Sequence, residues 1–366
     1  NLLLEKGAGT AKGHASINPS SRALAIELTG ANFALANIKI LTPSGKNSKA
    51  IKFNGQIGFE LRGAGTLENA NLQATWDCRN ISLAGASVGD LEGQVNWRGR
   101  EIHFKGESKG AAGEVSFSGT TRTEGDWPIE LSGTYTNLRV EPWLHLVLGK
   151  KLEARVTASG AVTVTGPMKD ASRIEVRTQS QNLEVKLPSL TWKNEQPVDF
   201  HYANRKLTAN RFRVSGPSTD LEVEGSIQLG PSPSLSLTAQ GRTDATILSI
   251  LDSGLQASGR SEVKLRVSGS PEHPLLYGTL NVHDTSLSYA DFPFRLTGLA
   301  GEVALDGDRA TFRSLRGTSG GGAVVLSGFV TFADSPRFNL QAALAQVRIR
   351  YPIDLTSVLD GNLKLT

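Results

Sequence analysis

The sequence predicts an all-β protein: an elongated array of repeats built on a mostly antiparallel, curved sheet, with one short helix per unit of roughly 100 residues. Three observations carry this prediction. Apolar and polar residues alternate at period two along most of the chain, with Gly, Asn, Asp and Pro between the runs about every 8–12 residues. Glycine is abundant, 39 of 366 residues, and it recurs on the apolar side of the alternation. Finally, matching stretches recur at a step of 103 residues, the signature of a repeat architecture.

The segment Ser319 to Phe332 shows the pattern. Val324, Leu326, Val330 and Phe332 alternate with other residues, and Gly328 falls in the apolar series. Upstream, Gly225 stands in the same way among Leu221, Val223, Ile227 and Leu229, and from 225 to 328 the step is 103. Gly55 stands among Ile51, Phe53, Ile57 and Phe59, and Gly119 follows Val115 and Phe117. In a second family, Val162, Val164 and Gly166 match Val263, Leu265, Val267 and Gly269, and 166 to 269 is again 103. Ser232 to Leu237 aligns with Ser335 to Leu340 at the same step.

Each unit also carries one short helical signal. Thr243 to Gly254 places Ile247, Ile250 and Leu251 on one helical face, with Asp244 as cap and Gly254 as stop. Glu141 to Lys150 is its counterpart, and a third copy begins at Tyr351 to Gly361. The expected organisation is a divergent β-repeat over 1–140, units over 141–240 and 241–345, and the start of a further unit over 346–366. The chain stops in mid-alternation and is read as a piece of a longer protein.

Period-two alternation gives each strand one apolar and one wet face. Lys264, Arg266 and Ser268 form one such wet face, and Glu222, Glu224, Ser226 and Gln228 another. Antiparallel sheets tolerate a solvated face. A strand glycine marks a bulge, a bend or a close approach. The glycines 55, 119, 166, 225, 269 and 328, in register on the apolar side, would let the sheet fold along a line into an open trough with its apolar face inward. Separate β-sandwiches fit the spacing equally well. About 30 strands stacked at roughly 4.8 Å would span on the order of 150 Å.

Composition excludes several classes. The charge of +4 comes from scattered Lys and Arg, which gives no nucleic-acid footprint. No apolar run approaches the roughly 20 residues of a membrane helix. One cysteine, Cys78, precludes an internal disulfide framework. His14, His103, His145, His201, His273 and His283 show no ligand spacing. Gly320 to Gly322 lacks the lysine and the following helix of a phosphate loop, and reads as a β-turn. The five tryptophans read as packing at strand ends. No catalytic residue, metal site or cofactor is expected.

The order of short helix, strand, in-register glycine, proline and G-x-L-x-V resembles the TamB family of translocation and assembly proteins, within the AsmA-like, bridge-like lipid-transfer group. Ala257 to Val282 and Leu296 to Phe332 carry the resemblance, and Leu359 to Thr366 fits the start of the next unit. Residues 141–366 are covered well and 1–140 weakly. The resemblance implies a curved sheet with an apolar groove, which favours the trough. It also implies a periplasmic span in a diderm bacterium, anchored in the inner membrane by a segment outside this sequence. The implied functions are phospholipid movement between the membranes and outer-membrane protein assembly and secretion. The implied partners are phospholipid acyl chains and an outer-membrane assembly protein of the Omp85 type.

The candidate lining of a lipid groove is the set at the glycine parity: Val162, Val164, Leu221, Val223, Ile227, Val263, Leu265, Val267, Leu280, Val282, Val324, Leu326, Val330 and Phe332. Each is equally readable as a packed core residue. Two alternatives stay open: a scaffold that pairs client strands at a sheet edge, and an extracellular β-repeat rod with a filled core.

Overall fold

The computed structural model describes residues 2–18, 20, 22–35, 53–66, 69–83, 86–110, 112–141, 154–187, 190–230, 232–246, 254–289, 295–332, 337–350 and 356–366. The strands are β1 (Leu2–Lys6), β2 (Gly9–Ile17), β3 (Ala23–Ala34), β4 (Phe53–Thr66), β5 (Ala70–Leu83), β6 (Ala86–Arg98), β7 (Glu101–Gly110) and β8 (Gly113–Arg122). Next come β9 (Pro128–Arg139), β10 (Arg155–Pro167), β11 (Glu175–Lys186), β12 (Thr191–Asn194), β13 (Val198–Ala203), β14 (Lys206–Gly216), β15 (Thr219–Gln228) and β16 (Ser234–Asp244). The last are β17 (Leu255–Gly269), β18 (Pro274–Tyr289), β19 (Arg295–Gly307), β20 (Arg309–Ser319), β21 (Gly322–Thr331), β22 (Phe338–Arg350) and β23 (Thr356–Leu365).

All 23 strands belong to one antiparallel sheet, as the alternation predicts. Among the described residues the strands reach 16 residues, in β18. The repeat is visible in their bounds. Lys206–Gly216 and Arg309–Ser319 are offset by 103 at both ends, as are Thr219–Gln228 and Gly322–Thr331.

Two-residue turns impose the antiparallel pairing. Asp306 pairs with Arg309 around Gly307-Asp308. Ser319 pairs with Gly322 around Gly320 and Gly321, whose φ angles are 53° and 83°. Hairpin turns of the favoured hand need positive φ at such positions, so this glycine run is the β-turn expected.

The helical signals lie outside the described residues over 142–150, 247–253 and 351–355. Asp244 does act as an Asx cap, accepting the Thr246 N–H at 2.9 Å. The third signal needs correction over its second half. Thr356 to Gly361 is strand, with Thr356, Ser357 and Val358 paired to Arg350, Ile349 and Arg348 of β22. Thr356 and Val358 are β-branched, and such residues favour a pleated neighbour over a helix. Glu141 and Ala245–Thr246, at the described margins of the first two signals, are helical, and a 3-10 turn spans Ala171–Arg173, where Asp170 accepts from the Ser172 N–H and hydroxyl at 3.1 and 2.6 Å.

Two compact units make up the chain. The N-terminal unit holds Asn1–Leu183, Pro197–Thr208 and Gln228–Pro231; the C-terminal unit holds Glu184–Gln196, Ala209–Ile227 and Ser232–Thr366. This partition follows packing and differs from the sequence repeat. Strand β11 contributes to both, pairing Val176–Ser180 with β13 and Glu184–Lys186 with β12.

Within each unit the ladders slip at mid-strand. In the N-terminal unit the register shifts at Gly30/Phe33, Asn54/Gln56, Cys78/Ile81 and Ala158/Gly160. In the C-terminal unit it shifts at Ser258/Arg260, Val282/Thr285, Phe312/Leu315 and Leu344/Val347. A bulge bends its strand and raises local twist. Several buried side chains sit at or beside these positions: Cys78, Ile81, Val282, Thr285, Leu315 and Val347.

Candidate functional site

The N-terminal unit presents its apolar face as parallel rows running across the strands. One row follows the ladder through Ala11, Gly30, Phe59, Trp76, Gly93, Gly106, Phe117, Gly133 and Val162. Rings and glycines complement each other here. A Cβ on Gly106 would come within 2.6 Å of the Phe117 ring, and one on Gly30 within 2.6 Å of Phe59. The glycines therefore make room for the aromatic rings of adjacent strands. The next row runs through Leu61, Ala74, Val95, Phe104, Gly119, Leu131 and Val164. Apart from the buried Ala11, the apolar side chains in both rows are half-buried, while the alternate residues are exposed almost without exception. A third row, at the bulge line, passes through Cys78, Leu91, Ser108, Val115, Tyr135 and Gly160, and Cys78, Ser108 and Tyr135 in it are buried.

The C-terminal unit is packed differently. Leu280, Val282, Leu299, Val303 and Leu315 form a buried cluster, with Val263 and Leu326 packed against it. Val263, Leu280, Val303, Phe312 and Gly328 are one transverse row.

The fourteen candidate lining residues therefore divide. Val162 and Val164 are half-buried on the N-terminal unit's face, alongside the aromatic row. Leu221, Leu280, Val282 and Val324 are 9% exposed or less and pack as core. Val223, Ile227, Val263, Leu265, Val267, Leu326 and Val330 are half-buried, and Phe332 is exposed. Phe59, Trp76 and Phe117, which dominate the less covered face, were not among the candidates. The signal that could have found them is the fall of an aromatic and a glycine at paired positions on adjacent strands.

The six glycines expected to bend the sheet also divide. Gly55 lies inside a register shift. Gly119 stands in regular ladder opposite Phe104, and Gly328 stands opposite Phe312 at the edge of the Phe312/Leu315 register shift. Gly166 and Gly269 pair near strand ends, with Ile129 and Pro274. Gly225 has φ 146°, and a Cβ there would come within 2.7 Å of the Leu237 Cα.

The opposite, polar face of the N-terminal unit carries a groove of about 1180 Å³ crossing β3 to β10. Its walls are the residues flanking the glycine–aromatic row, so alternation turns their side chains away from Phe59 and Trp76. One flank pairs Asp77 with Glu92 and Glu92 with Glu107, followed by Ser116. The other runs Glu60, Thr75, Gln94, Lys105, Ser118 and Ser132. Asp77 holds an ion pair with Arg79 at 2.9 Å. The C-terminal unit's polar face also carries ion pairs, with Arg211 3.4 Å from Glu222 and 3.2 Å from Glu224, and Arg213 3.0 Å from Asp220. Glu224 and Glu222 raise the Arg211 pKa, and Lys193 lowers that of Glu184.

Among the described residues no three His, Cys, Asp or Glu side chains converge as metal ligands. No described helix is long and apolar enough to cross a membrane, which says nothing of crossing by strands. Burial pushes the Cys78 thiol up, with the Asp77 charge adding to it. No protein-family model matches the chain, and no curated protein or solved structure is significantly similar to it.

Proposed function

We propose that this chain is part of a periplasmic β-groove protein of the TamB and AsmA-like type, carrying phospholipid acyl chains between inner and outer membranes and supporting outer-membrane protein assembly. The supporting observation is the half-buried apolar face of the N-terminal unit. Row after row, its Val, Leu, Phe and Trp side chains are neither fully packed nor turned to water. Such a surface gains from an apolar guest, at about 0.8 kcal/mol for each CH₂ kept from water. The requirement is for continuity of apolar surface across strands, and the ladder register supplies it. No catalytic group enters this reading.

Native mass spectrometry with lipid extraction of the purified chain tests it. Phe59→Asp and Phe117→Asp are the informative variants, because both rings are half-buried and their loss spares the buried cluster. Co-purifying phospholipid in the parent chain, lost in both variants with circular dichroism unchanged, is the expected result. A lipid-free parent chain that also takes up no fluorescent acyl probe would overturn the reading.

A further inference from the structure

We propose that the groove on the polar face of the N-terminal unit docks an extended polypeptide segment bearing lysine or arginine. This concerns the face opposite to the one proposed for lipid and does not depend on lipid carriage.

The first argument is shape. The groove crosses eight strands, β3 to β10. At roughly 4.8 Å per strand that is about 34 Å, the reach of about ten residues of extended chain. Its floor is backbone, because the central row sends its side chains to the other face or has none, as at Gly93 and Gly106. A guest main chain can therefore lie close to the sheet.

The second argument is charge. The whole chain carries +4, yet the groove's ionisable groups are four carboxylates, Glu60, Asp77, Glu92 and Glu107, against two cations, Arg79 and Lys105. The local sign is opposite to the global one. Asp77, Glu92 and Glu107 are also direct cross-strand neighbours, and like charges so placed repel. Arg79 pairs with Asp77, and among the described residues neither Glu92 nor Glu107 makes an ion pair. A cationic guest lying along this flank relieves the rest, and electrostatic complementarity of this kind sets specificity and on-rate.

The third argument selects a polypeptide over a polyamine. The other flank offers Thr75, Gln94, Ser118 and Ser132, which both donate and accept hydrogen bonds. A peptide backbone can use both functions, whereas a polyamine only donates.

The test is fluorescence anisotropy of a labelled twelve-residue peptide of alternating Lys and Ser, titrated with the whole chain at low salt. Saturable binding is expected, weakened at least tenfold by the double variant Glu92→Lys/Glu107→Lys and unchanged by Glu222→Lys on the other unit. An alternating Gly-Ser peptide is expected not to bind. Absence of saturable binding, or binding indifferent to the double variant, would overturn the proposal. So would spermine binding the chain as tightly as the peptide. Circular dichroism of the double variant separates lost binding from lost fold, and if the fold is lost, the exposed single change Glu107→Gln replaces it, with a smaller loss of affinity expected on the same criteria.

Discussion

The phenol of Tyr135 on β9 reaches over the intervening strand β10 to the hydroxyl of Ser180 on β11, at 2.7 Å. The same oxygen lies 2.6 Å from Thr178 Oγ1. Tyr135 pairs with Gly160 of β10, so no side chain rises from β10 at that point. Ser180 is 2% exposed, and its hydroxyl depends on this contact. Removing one partner of a buried hydrogen bond costs more than the bond itself contributes. Tyr135→Phe should therefore destabilise by about 1–2 kcal/mol in urea unfolding, and adding Ser180→Ala should recover part of the loss.

Ser261 is the converse case. It is 2% exposed, and its hydroxyl has no hydrogen-bond partner among the described residues. Ser261→Ala removes that desolvated oxygen and should leave stability unchanged or raise it by about 1 kcal/mol. A urea midpoint that falls would show that the hydroxyl is satisfied.

Gly328 has φ 124°, and a Cβ there would run into the Asn339 carbonyl of the neighbouring strand. Gly321 also has positive φ, 83°, but open space around it. Gly328→Ala combines strain with a clash and should cost more than about 2 kcal/mol, whereas Gly321→Ala should cost about 1 kcal/mol from the backbone alone. Equal losses would mean that the strand next to Gly328 yields.

The two apolar faces should respond differently to truncation. Leu315→Ala empties a site in the buried cluster and should cost about 2–5 kcal/mol. Phe59→Ala removes a ring that is already part-solvated, and should cost clearly less than the about 3–5 kcal/mol of a buried Phe. Denaturant melts of the pair would decide.

Cys78 is buried and its thiol pKa is raised. The folded chain therefore keeps the protonated form beyond the ordinary thiol range. Its contribution to stability is full below the unfolded thiol pKa and declines as pH rises above it. Iodoacetamide at pH 7–8 should label the native chain far more slowly than the urea-unfolded chain. Equal rates would contradict the burial.

The sequence by itself determined the secondary-structure class, the antiparallel pairing and the 103-residue repeat. These are local: period-two alternation, turn glycines such as Gly320 and Gly321, and matching strands at one offset are all readable along the chain. Gly328 was visible as an anomaly, but its reason was not. Only the ladder register shows that Phe312 stands opposite it and that the Asn339 carbonyl occupies the space of its Cβ. The same holds for the division of candidate residues. Leu280 and Val162 alternate identically in sequence, yet one is core and the other half-buried, because burial depends on what strands far away in the chain bring to that face. The row joining Phe59, Trp76, Gly93 and Gly106, and the carboxylates Asp77, Glu92 and Glu107 beside it, exist only once cross-strand pairing aligns four strands. Register is a property of the sheet, and alternation along a single strand cannot specify it.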